Sequence, residues 1–264
     1  MGRNTKLDRG VLKRGVITPD KHFPLHHSGA LKVVCKAIEI IKPDFYVDLG
    51  DTAEFASASH WQWKRKKRPP LEYQLPKVYE DIKSVNACID IIDESLDKAN
   101  VKKRYFLEGN HEQWLNYLSE ENPYLRGLTA KDALLFEKRG YEYYPNHEYL
   151  KIGKLWYHHG NHFAGIHHTR NHLLKLGCNI MYGHHHDLQM TSVTHMDGPK
   201  SAWAIGCLKD MDRENNKWLG GRKVNWAHAF AVVDYYADEL FTVHIVNIID
   251  GVTSLWGKVI DGNA

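Results

Sequence analysis

Cysteine is scarce in this chain and never paired. Cys35, Cys88, Cys178 and Cys207 are four in 264 residues and form no Cys-x-x-Cys, which excludes a disulfide framework and a zinc knuckle. They read as reduced thiols of a cytosolic protein. No apolar run approaches the ~20 residues of a membrane helix, and no apolar stretch follows the basic segment Met1–Arg14, so no secretory signal is expected. Gly2 does not open a myristoylation signal, because Lys6 stands where that signal needs Ser or Thr. Charge of one sign is also missing. The formal net charge is +3, with 25% charged and 43% hydrophobic residues, a balance that points to a globular core rather than disorder. A polyanionic partner is permitted but not demanded. These absences predict a soluble, cytoplasmic protein with no membrane contact and no indicated need to oligomerise.

Histidine is in excess, at 18 residues. Many of them stand at the ends of apolar runs. Val11–Thr18 reads as a strand leading to Asp20. Ser28 is the expected N-cap of a helix with Leu31, Val34, Cys35, Ile38 and Ile41 on one face, stopped by Pro43. Phe45–Leu49 is a second strand, ending at Gly50-Asp51. After an interruption, Val78, Ile82, Val85, Ile89, Ile92 and Leu96 fall at helical spacing, and Arg104–Leu107 is a third strand ending at Gly109-Asn110-His111-Glu112. Residues 113–140 read as broken helix with a stop at Asn122-Pro123. Tyr149–Ile152 and Leu155–His158 suit a hairpin, Gly165–Leu176 a helix, and Asn179–Tyr182 a strand ending at Gly183-His184-His185-His186. Later strands include Phe230–Val233 and Phe241–Val246. The repeated strand and helix units predict one α/β domain over residues 1–264.

Five fragments carry chemistry: Asp20-Lys21-His22, Gly50-Asp51, Gly109-Asn110-His111-Glu112, His158-His159-Gly160 and Gly183-His184-His185-His186. Each falls where a strand ends, and in α/β sheets ligands bind beyond the carboxyl ends of strands. Together they offer two Asp, one Asn and at least four His. Mixed donors of this kind suit Mn, Fe or Zn better than Ca, and two such ions ~4 Å apart can drive hydrolysis.

The order Asp-x-His, Gly-Asp, Gly-Asn-His-Glu, His-Gly and Gly-His-x-His resembles the calcineurin-like metallophosphoesterase superfamily, over about Asp20 to His186. Asp20-Lys21-His22-Phe23-Pro24 also looks like small phosphoesterases of phage and bacterial genomes. The resemblance implies a four-layer sandwich of two mixed β-sheets flanked by helices, with the metal site at the C-terminal ends of strands. It implies Asp20, His22 and His186 on one ion, Asn110, His159 and His184 on the other, and Asp51 bridging. His159 is preferred over His158 because the family places its ligand directly before Gly. His111 would act from outside the ligand shell, stabilising the transition state or protonating the leaving oxygen, with a metal-bound hydroxide attacking. The ions would be two divalent metals, with Mn first and Fe, Zn or Ni as alternatives. His185, between two ligands, is expected to face solvent. Asp48 and Glu112 could orient ligands or merely cap local structure.

The implied activity is a phosphodiesterase acting on nucleic acid or nucleotides. The Val-Asp-Arg-Gly continuation of Ser/Thr protein phosphatases is absent after Gly50-Asp51, where Thr52-Ala53-Glu54-Phe55 stands instead. A phosphomonoesterase, a dinucleoside polyphosphate hydrolase and a non-catalytic binding module remain open. Residues 55–76 read as an exposed insert, with Trp61 and Trp63 beside Lys64-Arg65-Lys66-Lys67-Arg68. Trp61, Trp63, Lys64 and Arg65, with His26, are candidates for substrate contact, including DNA or RNA. A solvated basic loop with inward tryptophans, or an oligomer contact, would look the same in sequence.

Overall fold

The computed structural model of the chain describes residues 12–64 and 66–264. Gly2, Lys6 and Arg65 lie outside the described residues. Strand β1 (Lys13–Thr18) is followed by α1 (Ser28–Ile41) and β2 (Phe45–Asp48), the expected β-α-β start. The cap of α1 differs from expectation. His27, not Ser28, caps it, its Nδ1 accepting the Ala30 N–H at 3.1 Å; Ser28 is the first helical residue. Lys42, at φ 48°, ends the helix in the left-handed conformation just before Pro43.

Helix α2 (Leu71–Lys98) buries Val78, Val85, Ile89, Ile92 and Leu96. It begins within the segment expected as exposed insert, and Pro76 falls in its second turn. Gln74 anchors that early start: its Nε2 donates to Ser57 O at 2.6 Å, and its Oε1 accepts from Arg68 Nε at 3.1 Å. The front of the insert is not exposed either, since Phe55 and Ala58 are part of the core. Among the described residues of 55–76, the turn at His60 and Trp61 with Lys64, Lys66 and Lys67 lies at the surface, as do Pro70, Glu72, Tyr73 and Pro76.

Next come β3 (Lys103–Leu107), α3 (Asn110–Glu121), α4 (Ala130–Ala133), β4 (Tyr141–Tyr144), β5 (Leu150–Ile152), β6 (Leu155–Tyr157), α5 (His168–Leu176) and β7 (Asn179–Tyr182). The chain ends with β8 (Leu188–His195), β9 (Gly198–Ile205), β10 (His228–Tyr235), β11 (Phe241–Ile248), β12 (Val252–Leu255) and β13 (Lys258–Asp261).

Two mixed sheets result. One has the order β11-β10-β1-β2-β3-β4, with β1 to β4 parallel; the other has the order β5-β6-β7-β9-β8, with β6, β7 and β9 parallel. Ile17, Val47, Leu107, Tyr157, Met181 and Ile205 fill the space between the sheets. The outer face of the first sheet packs on α1 and α2 through residues such as Val34, Ile38, Val85 and Phe106. The outer face of the second holds Leu173 of α5 against Ile180 and Ala202. Helix, sheet, sheet and helix are therefore stacked, the four layers expected. The carboxyl ends of β1, β2, β3, β6 and β7 deliver the five motifs. Among the described residues, no helix is long and apolar enough to cross a membrane.

Candidate metal centre

The loops after β1 and β2 are stitched together by main chain. Lys21 N and His22 N both donate to Asp51 O, at 3.0 and 2.9 Å, and Phe23 N donates to Thr52 O at 2.7 Å. The two glycine-led motifs then reach across to the carboxylates. His111 N donates to Asp51 Oδ1 at 2.9 Å, and His184 N donates to Asp20 at the same distance. A Cβ on Gly109 would collide with Asp51, and one on Gly183 with the Asp20 carboxylate, so these two positions require Gly for close approach rather than for a special φ. The special φ values fall on the donors themselves. His22, Asp51, His184 and His186 lie at φ 52°, 46°, 64° and 64°, a conformation that costs energy in non-Gly residues and gathers at functional sites.

Three groups of donor atoms result, each with its atoms within 4.8 Å of one another: Asp20, His22 and His186; His22, Asp51 and His111; Asp51, His159 and His184. Asn110 Oδ1 joins the third group, 3.2 Å from His159 Nε2. All eight residues singled out from the sequence are thus brought together. His158 is not, because its Nε2–H donates to Asn146 O and its Nδ1 accepts from Gly160 N. His185, expected to face solvent, is half-buried: its ring stacks on His168 at 3.8 Å and lines the cavity described below.

The donor set fits divalent cations. His22 Nδ1–H is directed to Glu54 Oε2 at 2.8 Å, and His159 Nδ1–H to Leu49 O at 2.8 Å. The inner nitrogens then carry lone pairs. Yet His22 Nε2 lies 3.0 Å from His186 Nε2, and His159 Nε2 lies 3.2 Å from His184 Nδ1. Each such pair faces across a gap that one N–H or one cation can bridge. Burial, then the charges of Lys209 and His111, drives His22 down to about 3; burial and His159 do the same to His184. Both rings are neutral, as metal ligation requires. His159 moves the other way. Burial pulls it down, but Asp51 and Asp20 outweigh that and raise it to about 10. A proton there answers the field that a cation would answer.

Three supporting residues complete the site. Glu112 accepts the N–H groups of Gly109, Asp51 and Ala53 at 3.0, 2.9 and 2.9 Å, bracing both loops. Asp48 Oδ1 accepts from Lys21 Nζ, Thr52 Oγ1 and Gly50 N. Glu54, given no role from sequence, takes His22 Nδ1–H and Lys209 Nζ on one oxygen, the latter at 2.7 Å, while its carbonyl takes His111 Nδ1–H at 2.6 Å.

A cavity of about 690 Å³ opens over the cluster; its wall includes Asn110, His111, Lys209, Trp61, Trp114, Trp218 and Trp226. Trp61 is on this wall, and Lys64 Nζ sits 3.2 Å over its ring. Trp63, half-buried with Lys66 Nζ at 5.0 Å, is not. His26 is not on it either, its Nδ1–H being directed to Pro24 O. Lys209, Trp114, Trp218 and Trp226 were missed in the sequence; no motif or spacing marks them.

No family model matches the chain. The chain is 23% identical to the Gene 54 protein of Mycobacterium phage L5, an alignment covering 94% of this chain and 98% of that protein. Among solved structures, a single mutant of Vps29 from Entamoeba histolytica is similar at a TM-score of 0.48 and 12% identity, covering 94% of this chain and 98% of its own. YfcE, a phosphoesterase from E. coli, is similar at a TM-score of 0.39 and 14% identity, covering 89% and 100%.

Proposed function

We propose that this chain is a two-metal-dependent phosphoester hydrolase, more specifically a phosphodiesterase acting on nucleic acid or nucleotides. The observation that carries the reading is the sharing of donors. Asp51 and His22 each belong to two of the three donor groups, so two cations would sit side by side beneath one cavity. Asp20, His22 and His186 would hold one; Asn110, His159 and His184 would hold the other, with Asp51 between. Two divalent cations there would polarise the phosphoryl group and make water acidic enough to attack at neutral pH, and Mn is the first to test.

The remaining work falls to side chains. His111 is fixed through Nδ1–H on Glu54 O, which turns its Nε2 toward the cavity and Asp51, 3.9 Å away. A proton carried on that Nε2 would pass to the leaving ester oxygen as the P–O bond breaks. Lys209, buried and held by Glu54, supplies a fixed cation on the wall. A phosphate in the cavity would meet that charge.

The test is hydrolysis of bis-p-nitrophenyl phosphate and of p-nitrophenyl phosphate by protein reconstituted with Mn. Turnover of the diester with little of the monoester is expected. The reverse order would make the chain a phosphomonoesterase, and bound metal without turnover of either would leave only a metal-binding module.

A further inference from the structure

We propose that Trp218 and Trp226 form a stacking platform for an unpaired base, so that the hydrolase argued above takes nucleotide units with the phosphate on the metal cluster and the base on these rings. The inference rests on that reading of the cluster, and adds residues and a substrate class to it.

Four of the eight tryptophans line this single cavity, and none of the four is buried. Partial exposure alone marks nothing, since Trp63, Trp156 and Trp256 outside the cavity are not buried either; position does. Trp226 stands beside a ligand: its ring centroid is 4.6 Å from that of His186, at 68°. Its backbone is fixed there, since residue 226 bridges to Asp187 and Ala227 N donates to His186 O at 2.9 Å. Trp218 extends the wall outward, its ring 6.1 Å from Trp226. It is carried on the one-turn helix Lys217–Leu219, closed by Gly220 at φ 59°, and is 62% exposed.

One exposed tryptophan needs no explanation. Two in ring contact, leading outward from a phosphoester site, offer flat apolar faces just where the group esterified to the phosphate must lie. A base stacks on such faces whatever its sequence, and exposed Arg222 and Lys223 follow Trp218 in the same loop, where neighbouring phosphates would need charge. Tryptophans around a cavity also bind quaternary ammonium groups. The cavity argues against that occupant, because Lys64 already covers Trp61 at 3.2 Å and Lys209 adds a second cation.

Calorimetry on the metal-reconstituted full chain decides it, with AMP, ribose 5-phosphate and phosphocholine as probes. AMP should bind at least about tenfold more tightly than ribose 5-phosphate. Trp218→Ala and Trp226→Leu should each shrink that ratio several-fold, while Trp226→Phe should keep most of it. Because Trp218 is exposed, its removal tests the platform without endangering the fold. Equal affinity for AMP and ribose 5-phosphate, a ratio untouched by Trp218→Ala and Trp226→Leu, or tighter binding of phosphocholine would each overturn the proposal. The two readings fail separately: an intact AMP ratio without diester turnover sinks the hydrolase, whereas turnover without a base preference sinks the platform.

Discussion

The two halves of the donor cluster each carry two histidines, but one adds the carboxylate of Asp20 and the other the amide of Asn110, and they are supported differently. In the half formed by Asp20, His22 and His186, the ring of His22 is braced by a carboxylate, Glu54, which Lys209 also holds. In the half formed by Asn110, His159 and His184, the ring of His159 is braced by a neutral carbonyl, Leu49 O. The first three residues are all buried; Asn110 and His184 are partly open to the cavity. A carboxylate behind a ligating imidazole is part of a metal's affinity, and the first half also has the charged Asp20 where the second has neutral Asn110. With two ions bound, the first half would be the better anchor and the second the better exchange point, presenting its ion to substrate.

That asymmetry can be broken in order of severity. Asp51→Asn removes the charge shared by both halves, so both ions and about a thousandfold or more of turnover should be lost; plasma emission for metal content and a diester assay read the two effects. His111→Ala should lower kcat by about 10²–10⁴-fold with two ions still bound, and metal loss would instead make His111 a ligand of the middle group. Glu54→Gln should weaken one ion by about 10- to 100-fold and leave the other in place. Equal weakening of both, seen by titration with Mn, would make the two halves equivalent.

The smallest effect is on stability, and it tests the histidines outside the donor groups. Burial holds His172 at about 4 and His158 at about 3. Both lie below the ordinary value of about 6.5, so in the window between, the unfolded chain binds more protons than the folded one. Stability is then complete above pH 6.5 and declines as pH falls toward 4 and below. The buried Nε2 of His172 has no partner, and its ring stacks on Tyr182 at 4.0 Å. Urea midpoints should fall between pH 7 and pH 5, and His172→Phe should flatten part of that slope. An unchanged slope would remove His172 as a source.

What was legible in the sequence was local. Asp20, Asp51, Asn110, His159, His184 and His186 each follow the end of an apolar strand within a few residues, most with a glycine alongside, and strand ends and glycines survive in one dimension. The parallel order of β1 to β3 and the helices on their flank followed from the same rhythm. Glu54 and Lys209 were illegible because 155 residues separate the partners of their ion pair. Trp226 was illegible because a main-chain bridge to Asp187, not a spacing, sets it beside His186. The early start of α2 was hidden by Pro76, where contacts of Gln74 with Ser57 and Arg68 override local preference. His27 took the cap from Ser28 because an imidazole nitrogen in that geometry accepts an N–H as a hydroxyl would.

The main-chain bonds from Lys21 and His22 to Asp51 O, together with the amides of His111 and His184 on the two aspartates, are protein-to-protein contacts that call for no ion. The site is then a finished mould, whose shape is set by the backbone before anything is cast in it. Chelation should strip the protein without unfolding it, so that far-ultraviolet circular dichroism is retained and later addition of Mn refills both positions within the time of mixing.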